Sequence, residues 1–268
     1  MADGPETWHY GVVAQWWAEF NLEGPEIAYF QGIIERCGQP ALDVACGTGR
    51  LLLPYLRAGL DVDGSDVSPD MLALCREKAT REGLPVRLYQ QATHELDLPR
   101  RYRTIIMCGS FGIGGSRRND MQALQRIYEH LEPGGTLAFD HELPYSNGES
   151  SWHYWLPGKR RELPQEWEAP GGRRPASDGT AYSLRSRIVD LDPFEQILTL
   201  GILAEHWRGE EQIAREERLL KSCLYFKNEI VMMLEGAGFG DVAVYAAYAG
   251  EEATAEHGDV VVVARKPG

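Results

Sequence analysis

Residues 41–50, ALDVACGTGR, decide the fold of this chain. Residues 41–45 form a short apolar run that is typical of a buried strand, and the leucine-rich residues 50–58 predict a helix directly after it. Gly47 and Gly49 let the backbone between them turn tightly and come close to a ligand. A helix that starts here also offers unpaired N–H groups to an anion. The stretch therefore predicts a strand–turn–helix unit with a ligand site at its turn.

The same alternation of strand and helix continues along the chain. After the second strand, Ser68 is the expected N-cap of a helix through Ala79, with Pro69 at its first position. The further predicted strands are residues 61–66, 86–90, 104–108, 135–140, 241–248 and 259–265, and the further predicted helices are residues 120–130 and 227–235. Strands that alternate with helices imply βαβ units and a parallel sheet that is covered on both faces.

Two regions depart from this alternation. Aromatic and aliphatic residues at helical spacing over residues 8–36, broken at Gly24-Pro25, predict two amphipathic helices before the sheet. Residues 144–180 are rich in Gly and Pro and predict a loop-rich insertion. Three predicted strands with short turns follow, at residues 182–191, 196–207 and 213–225, which indicates an antiparallel unit. The predicted segments are a helical lid (1–40), a ligand-binding core (41–145), an acceptor-binding insertion (146–226) and a closing part of the core (227–268).

Composition narrows the classes of function. The chain has 268 residues, and 27 Lys and Arg against 40 Asp and Glu give a net charge of −13, which disfavours a nucleic acid or an anionic membrane as partner. No apolar run approaches the ~20 residues of a membrane-spanning helix, and the first six residues lack a secretory signal, so we expect a cytoplasmic protein. Five dispersed cysteines predict neither a disulfide framework nor a metal site.

Two acids flank the glycine turn. Asp43 lies at the end of the first strand, where it can receive an ammonium group directly or through water. Asp66 ends the second strand, 17 residues after Gly49, where an acid that accepts both ribose hydroxyls would stand. A dinucleotide-binding turn would have a third glycine at position 52, which is Leu52, so binding of a nicotinamide or flavin dinucleotide is disfavoured.

Three motifs resemble those of the class I S-adenosylmethionine-dependent methyltransferases. They are residues 42–49 (LDVACGTG), residues 64–72 (GSDVSPDML) and residues 131–137 (LEPGGTL). The resemblance covers about residues 41–140 and 227–265. It implies an α/β fold that is Rossmann-like and doubly wound, with a mostly parallel seven-stranded sheet and, in this chain, an inserted small antiparallel β unit.

The resemblance also implies S-adenosylmethionine as cofactor, with S-adenosylhomocysteine as product. The implied cofactor-binding residues are Asp43, Ala45, Gly47, Thr48, Gly49, Asp66, Val67, Met71, Ala92, Thr93, Cys108 and Ser110. One departure is evident after the third strand, because Ala92 stands where family members often carry an acid for the adenine amino group. Thr93, His94 or Glu95 can substitute for that acid.

The acceptor is expected at the ends of the fourth and fifth strands. Phe111 and Glu142 are candidate substrate-binding residues, and His141 is the candidate catalytic base with Glu142 as its partner. In the alternative interpretation, His141 only forms a hydrogen bond at the end of the strand and has no catalytic role. Tyr10 and Trp17 are candidates for a cation–π contact with the sulfonium, although ordinary packing accounts for them equally.

The predicted insertion has a local excess of basic residues that allows two interpretations. Between residues 159 and 187, seven basic residues against four acids fit either a site for a carboxylate- or phosphate-bearing acceptor or a solvated loop. The basic residues are Lys159, Arg160, Arg161, Arg173, Arg174, Arg185 and Arg187.

Together these patterns predict a methyltransferase that acts on an N or O atom of a small molecule by in-line displacement. We expect it to be a monomer or a homodimer, without a metal. The alternatives are a protein that binds S-adenosylmethionine without methylating, such as a cyclase or a regulatory binder, and a nucleotide-dependent dehydrogenase.

Overall fold

The computed structural model describes residues 7–146, 151–169 and 171–268, so the first six residues, in which no secretory signal was found, lie outside the described residues. The chain forms two compact units. The larger unit comprises residues 23–111, 117–146 and 225–268. The smaller unit comprises residues 7–22 and 112–116 and the described part of 151–224. No helix in these described ranges is long and apolar enough to cross a bilayer.

The elements follow one another in nearly the predicted order. The helices are α1 (Gly11–Phe20), α2 (Pro25–Cys37), α3 (Leu52–Arg57), α4 (Pro69–Arg81), α5 (Arg117–His130), α6 (Pro157–Arg160) and α7 (Lys227–Gly236). The strands are β1 (Ala41–Val44), β2 (Val62–Asp66), β3 (Leu88–Gln90), β4 (Tyr102–Met107), β5 (Leu131–Glu142), β6 (Arg174–Pro175), β7 (Ala181–Asp192), β8 (Ile197–Arg208), β9 (Glu211–Cys223), β10 (Gly240–Ala246) and β11 (Asp259–Arg265). Short 3₁₀ helices occur at Thr93–Glu95 and Trp152–Trp155.

The larger unit is built on a seven-stranded sheet with the strand order β10-β11-β5-β4-β1-β2-β3. The pairs β1–β2, β1–β4, β2–β3 and β4–β5 are parallel, whereas β11 runs antiparallel to both β5 and β10. The prediction of a mostly parallel, seven-stranded, Rossmann-like sheet is therefore confirmed. Since β1, β2, β4 and β5 are parallel, their carboxyl ends share one edge, which is where ligands bind in such sheets.

Helices cover both faces of this sheet because each strand sends alternate apolar side chains to each face. On one face, α2, α3 and α4 pack Phe30, Leu52 and Cys75 against strand residues such as Ala41 and Ile106. On the other face, α5 contacts β5 and α7 contacts β10. This burial fixes the positions of the strand ends that carry the polar residues of the site.

The start of α4 forms as the sequence predicts. The Oγ of Ser68 accepts a hydrogen bond from the Met71 N–H at 3.2 Å, and Pro69 is the first helical residue. This cap places the helix N-terminus directly after Asp66.

The smaller unit contains an antiparallel sheet in the order β6-β7-β8-β9, which confirms the predicted inserted unit. α1 packs on one face of it, where Val12 and Val13 join Tyr182, Ile202 and Leu220 in an apolar cluster. The contacts therefore divide the predicted segment 1–40, since α1 groups with the antiparallel sheet and α2 with the parallel sheet.

Most strand limits differ from the prediction by one or two residues, and the limits of β5 and β10 bear on the site. β5 spans Leu131–Glu142 rather than residues 135–140, because Leu131 already pairs with Tyr102 of β4. β10 ends at Ala246 rather than at Tyr248, whose φ of +57° takes it out of the extended conformation. Tyr248 thus lies in the connection between β10 and β11.

Candidate functional site

The turn after β1 has the backbone geometry that its glycines predict. Gly47 has φ +54° and Gly49 has φ +83°, and Ala45 before them is also left-handed at φ +56°. A Cβ on Gly49 would lie 2.7 Å from the Sγ of Cys75 and 2.8 Å from the Cγ of Leu53. A Cβ on Gly47 would meet no atom of residues 7–146, 151–169 and 171–268 within 4 Å. Gly49 is therefore required for packing, whereas Gly47 borders open space.

Asp66 is held beside this turn by the backbone. Its Oδ2 accepts from the Gly47 N–H at 2.9 Å, and its Oδ1 accepts from the Ser68 N–H at 2.8 Å. Burial raises the pKa of this carboxyl, and these N–H bonds act in the opposite direction. A carboxylate has about four lone-pair sites, so each oxygen keeps one for a further donor. Asp66 can thus accept hydrogen bonds from two hydroxyl groups while it keeps its bonds to the Gly47 and Ser68 N–H groups.

Asp43 lies nearby with an unused acceptor. Its side chain is 2% exposed, and its Oδ2 has no hydrogen-bond partner within the part of the chain that the structure describes. Burial, reinforced by the charge of Asp66, raises the pKa of Asp43 to about 8, while the Leu52 N–H lowers it. A buried carboxylate without a cation is unfavourable. A ligand cation at this position would relieve that cost.

The residues expected around an adenine lie next to Asp66. Val67 follows it directly, and Met71 is almost fully buried in the first turn of α4. The Gln91 N–H donates to the Asp66 carbonyl at 3.1 Å, which connects Gln91 to the end of β2. Ala92 and Thr93 follow Gln91 directly and begin the 3₁₀ helix. Contact of these residues with an adenine remains a prediction.

Cys108, at the end of β4, is part of a polar network. Its Sγ donates to Oδ2 of Asp140 at 3.2 Å and accepts from the Arg50 guanidinium at 3.6 Å. Arg50 also forms an ion pair with Glu26 of α2. Burial and Asp140 raise the pKa of the Cys108 thiol far above its ordinary value, so this thiol is not a nucleophile at neutral pH.

Ser110 and Phe111 follow in the next turn, and His141 is in β5. The Ser110 Oγ is buried and has no hydrogen-bond partner among the described residues. The Phe111 ring lies 6.0 Å from the His141 ring in an edge-on arrangement. The Nε2 of His141 contacts the Tyr225 carbonyl at 3.1 Å, and because a carbonyl only accepts, this nitrogen carries the proton and leaves the Nδ1 lone pair as the basic atom.

His141 is kept neutral. Burial lowers its pKa, although the Tyr225 carbonyl and the charge of Asp140 act in the opposite direction. Its ring bonds to Tyr225 rather than to Glu142, the partner that the sequence suggested. Glu142 lies at the exposed end of β5, where partial desolvation together with the charge of Asp259 raises the pKa of its carboxyl.

Tyr10 and Trp17 belong to the smaller unit. Tyr10 is the N-cap residue of α1, and the Arg218 guanidinium lies 5.8 Å from its ring. Trp17 packs with the apolar cluster below α1, 5.0 Å from the Trp16 ring. These contacts agree with the packing interpretation, and a role of either residue at the cofactor remains a prediction.

Several basic residues of the insertion bond to carbonyl groups within the smaller unit. Arg185 donates to the Glu168 carbonyl at 2.9 Å and Arg187 to the Gln165 carbonyl at 3.1 Å, while Arg160 bonds to the Trp155 carbonyl at 2.8 Å. The guanidinium groups of Arg185 and Arg187 help to hold residues 165–168 in place. An anionic acceptor at these residues stays a prediction.

Three residues of the network escaped the sequence analysis. Arg50 and Asp140 each stand next to a predicted residue, Arg50 after Gly49 and Asp140 before His141, so their position was a usable signal. Tyr248 donates its hydroxyl to Oδ2 of Asp140 at 2.5 Å, and nothing in the sequence around it points to this contact. Across residues 7–146, 151–169 and 171–268, no group of three or more His, Cys, Asp or Glu side chains could hold a metal ion.

Comparison with known proteins gives a consistent result. Residues 41–135 match the family model described as a methyltransferase domain. A candidate methyltransferase of Geobacillus sp. (strain WCH70) is 25% identical over 96% of this chain and 99% of its own length. The dTDP-3-amino-3,4,6-trideoxy-alpha-D-glucopyranose N,N-dimethyltransferase of Streptomyces venezuelae is 33% identical over 37% of this chain and 40% of its own length.

The fold has solved counterparts as well. The crystal structure of an S-adenosylmethionine-dependent methyltransferase from Clostridium acetobutylicum superposes with a TM-score of 0.69. The alignment covers 91% of this chain and 92% of that one, at 18% sequence identity, so it is evidence for the fold.

Proposed function

Because the chain belongs to the class I S-adenosylmethionine-dependent methyltransferases, we propose that it transfers a methyl group from S-adenosylmethionine to a nitrogen or oxygen atom of a small-molecule acceptor. The observation that carries this proposal is the pair of buried carboxyl groups at the glycine turn. Asp43 has a side-chain oxygen that bonds to none of the described residues, and Asp66 is fixed by two backbone N–H groups.

The residues present fit an adenosyl sulfonium compound. Asp66 would accept the two ribose hydroxyls, and Asp43 would accept the ammonium group of the methionyl part, directly or through water. The open space at Gly47 leaves room for a ligand to approach the backbone, which any side chain there would fill.

The bound donor supplies an electrophilic methyl carbon whose bond to sulfur breaks as the bond to the acceptor forms. The sulfonium charge disappears in this step, so the protein gains most by holding the reactants in line, which can supply roughly 7–11 kcal/mol. The turn 108–111 supports that role, because Phe111 offers an apolar wall and Ser110 an unpartnered hydroxyl.

The acceptor must lose a proton, and His141 is the residue we propose to take it. Its Nδ1 is the basic atom, and its lowered pKa keeps the ring neutral at pH 7. The acid limb of kcat/KM that belongs to His141 is therefore expected below pH 6.5, the ordinary pKa of histidine.

A labelled-methyl transfer assay over a metabolite library tests the function, and His141→Ala tests the base. We expect His141→Ala to lower kcat about 100-fold, which is the lower end of general-base catalysis, while the Kd for S-adenosylhomocysteine stays within about twofold. His257→Ala is the control, since His257 lies in the connection between β10 and β11 and bonds to Thr254 and Glu251 of the same connection. An unaltered kcat in His141→Ala would exclude the base role.

The acceptor we propose is a small molecule rather than a nucleic acid. The net charge of −13 supports this, because phosphates are neutralised by clustered Lys and Arg. The amino-sugar N,N-dimethyltransferase from Streptomyces venezuelae, which is 33% identical over its matched part, supports an amine as one acceptor class to include in the library.

A further inference from the structure

Asp140 gathers three hydrogen-bond donors at the end of β5. Its Oδ1 accepts from the Gly109 N–H at 2.5 Å. Its Oδ2 accepts from the Tyr248 hydroxyl at 2.5 Å and from the Cys108 thiol at 3.2 Å. Cys108 and Gly109 follow β4, whereas Tyr248 belongs to the connection between β10 and β11. Asp140 therefore links the turn after β4 to a distant part of the chain.

The turn that Asp140 holds is the one next to the proposed base. Gly109 has φ +64°, a conformation that favours glycine, and its N–H points to Asp140. Two residues later, the Phe111 ring packs 4.9 Å from the Phe139 ring and 6.0 Å from the His141 ring. The position of the Phe111 ring relative to His141 therefore depends on the position of Gly109.

Tyr248 is itself held firmly. Its φ of +57° is uncommon for a residue with a side chain, and such a conformation persists where the surroundings determine it. Its ring packs edge-on against two rings of α2, 5.7 Å from Tyr29 and 6.3 Å from Phe30. This packing keeps the hydroxyl at Asp140.

We propose that Tyr248, acting through Asp140, positions the turn 108–111 for methyl transfer. Tyr248 is a positioning residue: its hydroxyl holds one oxygen of Asp140, so that the other oxygen stays aimed at the Gly109 N–H. The inference rests on the proposed function, because it takes this turn as a wall of the acceptor passage. Small displacements near reacting atoms are costly, since a misplacement of about 1 Å can reduce the rate about 100-fold.

The test compares Tyr248→Phe with Tyr245→Phe. Tyr248→Phe keeps the ring and removes only the hydroxyl. Tyr245 lies in β10, and its hydroxyl does not bond to Asp140, so Tyr245→Phe is the matched control. We expect Tyr248→Phe to lower kcat at least tenfold while the KM for S-adenosylmethionine changes less than twofold, and Tyr245→Phe to stay within twofold in both.

Amide hydrogen exchange of the ligand-free protein gives a readout that needs no substrate. In Tyr248→Phe the Gly109 amide is expected to exchange at least tenfold faster than in the wild type, whereas Tyr245→Phe leaves it unchanged. In an Asp140→Asn background, the further change Tyr248→Phe should have no additional effect on kcat, because Tyr248 acts through Asp140 alone.

Three outcomes overturn the inference: an unchanged kcat in Tyr248→Phe, a lower kcat without faster exchange at Gly109, or an additive effect in the Asp140→Asn background. A loss of affinity for S-adenosylhomocysteine in parallel with a lower melting temperature would also overturn it, since that points to a general structural role. A wild-type protein that binds the donor but methylates no acceptor contradicts the proposed function instead, whatever the exchange measurement shows.

Discussion

At the scale of single residues, the ligand-free fold favours the protonated form of Asp43, whereas the proposed ligand binding requires the ionised form. Its carboxyl is almost fully buried beside Asp66, and its pKa is raised to about 8. The folded protein therefore keeps a proton on Asp43 over a range of pH in which the unfolded chain has already lost it. Ligand binding needs the opposite state, because an ionised carboxylate is the better acceptor for an ammonium group.

This conflict predicts the pH dependence of stability. Between about pH 4 and about pH 8 the folded state binds more protons at Asp43 than the unfolded state, so the contribution of this residue to the free energy of unfolding falls as the pH rises. Asp43→Asn does not titrate, so its stability relative to the wild type should increase through this window, by an amount on the order of 1–5 kcal/mol. Urea unfolding of the ligand-free protein at several pH values measures it.

The same substitution should weaken donor binding, since it removes the charge that receives the ammonium group. We expect the Kd for S-adenosylhomocysteine to rise about tenfold or more at pH 8, where the wild-type carboxyl ionises readily on binding. Asp97→Asn is the control, because Asp97 is exposed. A difference in stability between Asp43→Asn and the wild type that does not change between about pH 4 and about pH 8 would show that Asp43 is not a buried, uncompensated acid.

At the scale of elements, the two glycines in the turn between β1 and α3 have different roles. Gly49 is needed for packing, and Gly47 leaves space for the ligand. Both glycines are left-handed, so alanine at either position costs about 1 kcal/mol or more in backbone strain. Only at Gly49 would the new Cβ also collide with Cys75 and Leu53. Overpacking of that kind adds about 1–3 kcal/mol.

We therefore expect Gly49→Ala to lower the free energy of unfolding by about 2–4 kcal/mol and Gly47→Ala by about 1 kcal/mol. Gly47→Ala should instead impair binding of S-adenosylhomocysteine at least tenfold, because its Cβ enters the space that the ligand needs. Chemical denaturation and calorimetric titration of the two variants separate the effects. Equal losses of affinity and stability in the two variants would contradict this division.

At the scale of the whole molecule, the melting temperature reports which ligand the folded protein binds. A ligand at about 100 times its Kd stabilises the folded state by roughly 2.7 kcal/mol, so S-adenosylhomocysteine should raise the melting temperature by several degrees. NAD should not, because Leu52 replaces the third glycine of a dinucleotide-binding turn. A shift with NAD alone would favour the dehydrogenase alternative.

Hydrogen exchange with and without S-adenosylhomocysteine locates the contacts. We expect protection at residues 45–50 and 66–71, next to the two acids. Protection of residues 11–17 would support the predicted lid with Tyr10 and Trp17. Unchanged exchange there would indicate that these rings serve only the packing of α1 on the antiparallel sheet.

The sequence by itself determined the order of the elements and the position of the proposed donor site. A positive φ at Gly47 and Gly49, the cap at Ser68 and the acid at the end of β2 depend on residues close together in the chain, and local residue types were enough to predict them. The match of residues 41–135 to a methyltransferase domain agrees with the motifs from which the family was first inferred.

Only the tertiary structure decided how the acceptor side is arranged. Tyr248 meets Asp140 across 108 positions of sequence, and His141 bonds to a backbone carbonyl 84 positions away instead of to its neighbour Glu142. Successive side chains of a strand point to opposite faces, so His141 and Glu142 were poorly placed to pair within β5. Such contacts depend on which strands lie side by side, and the order of strands in a sheet follows from the packing of the whole unit.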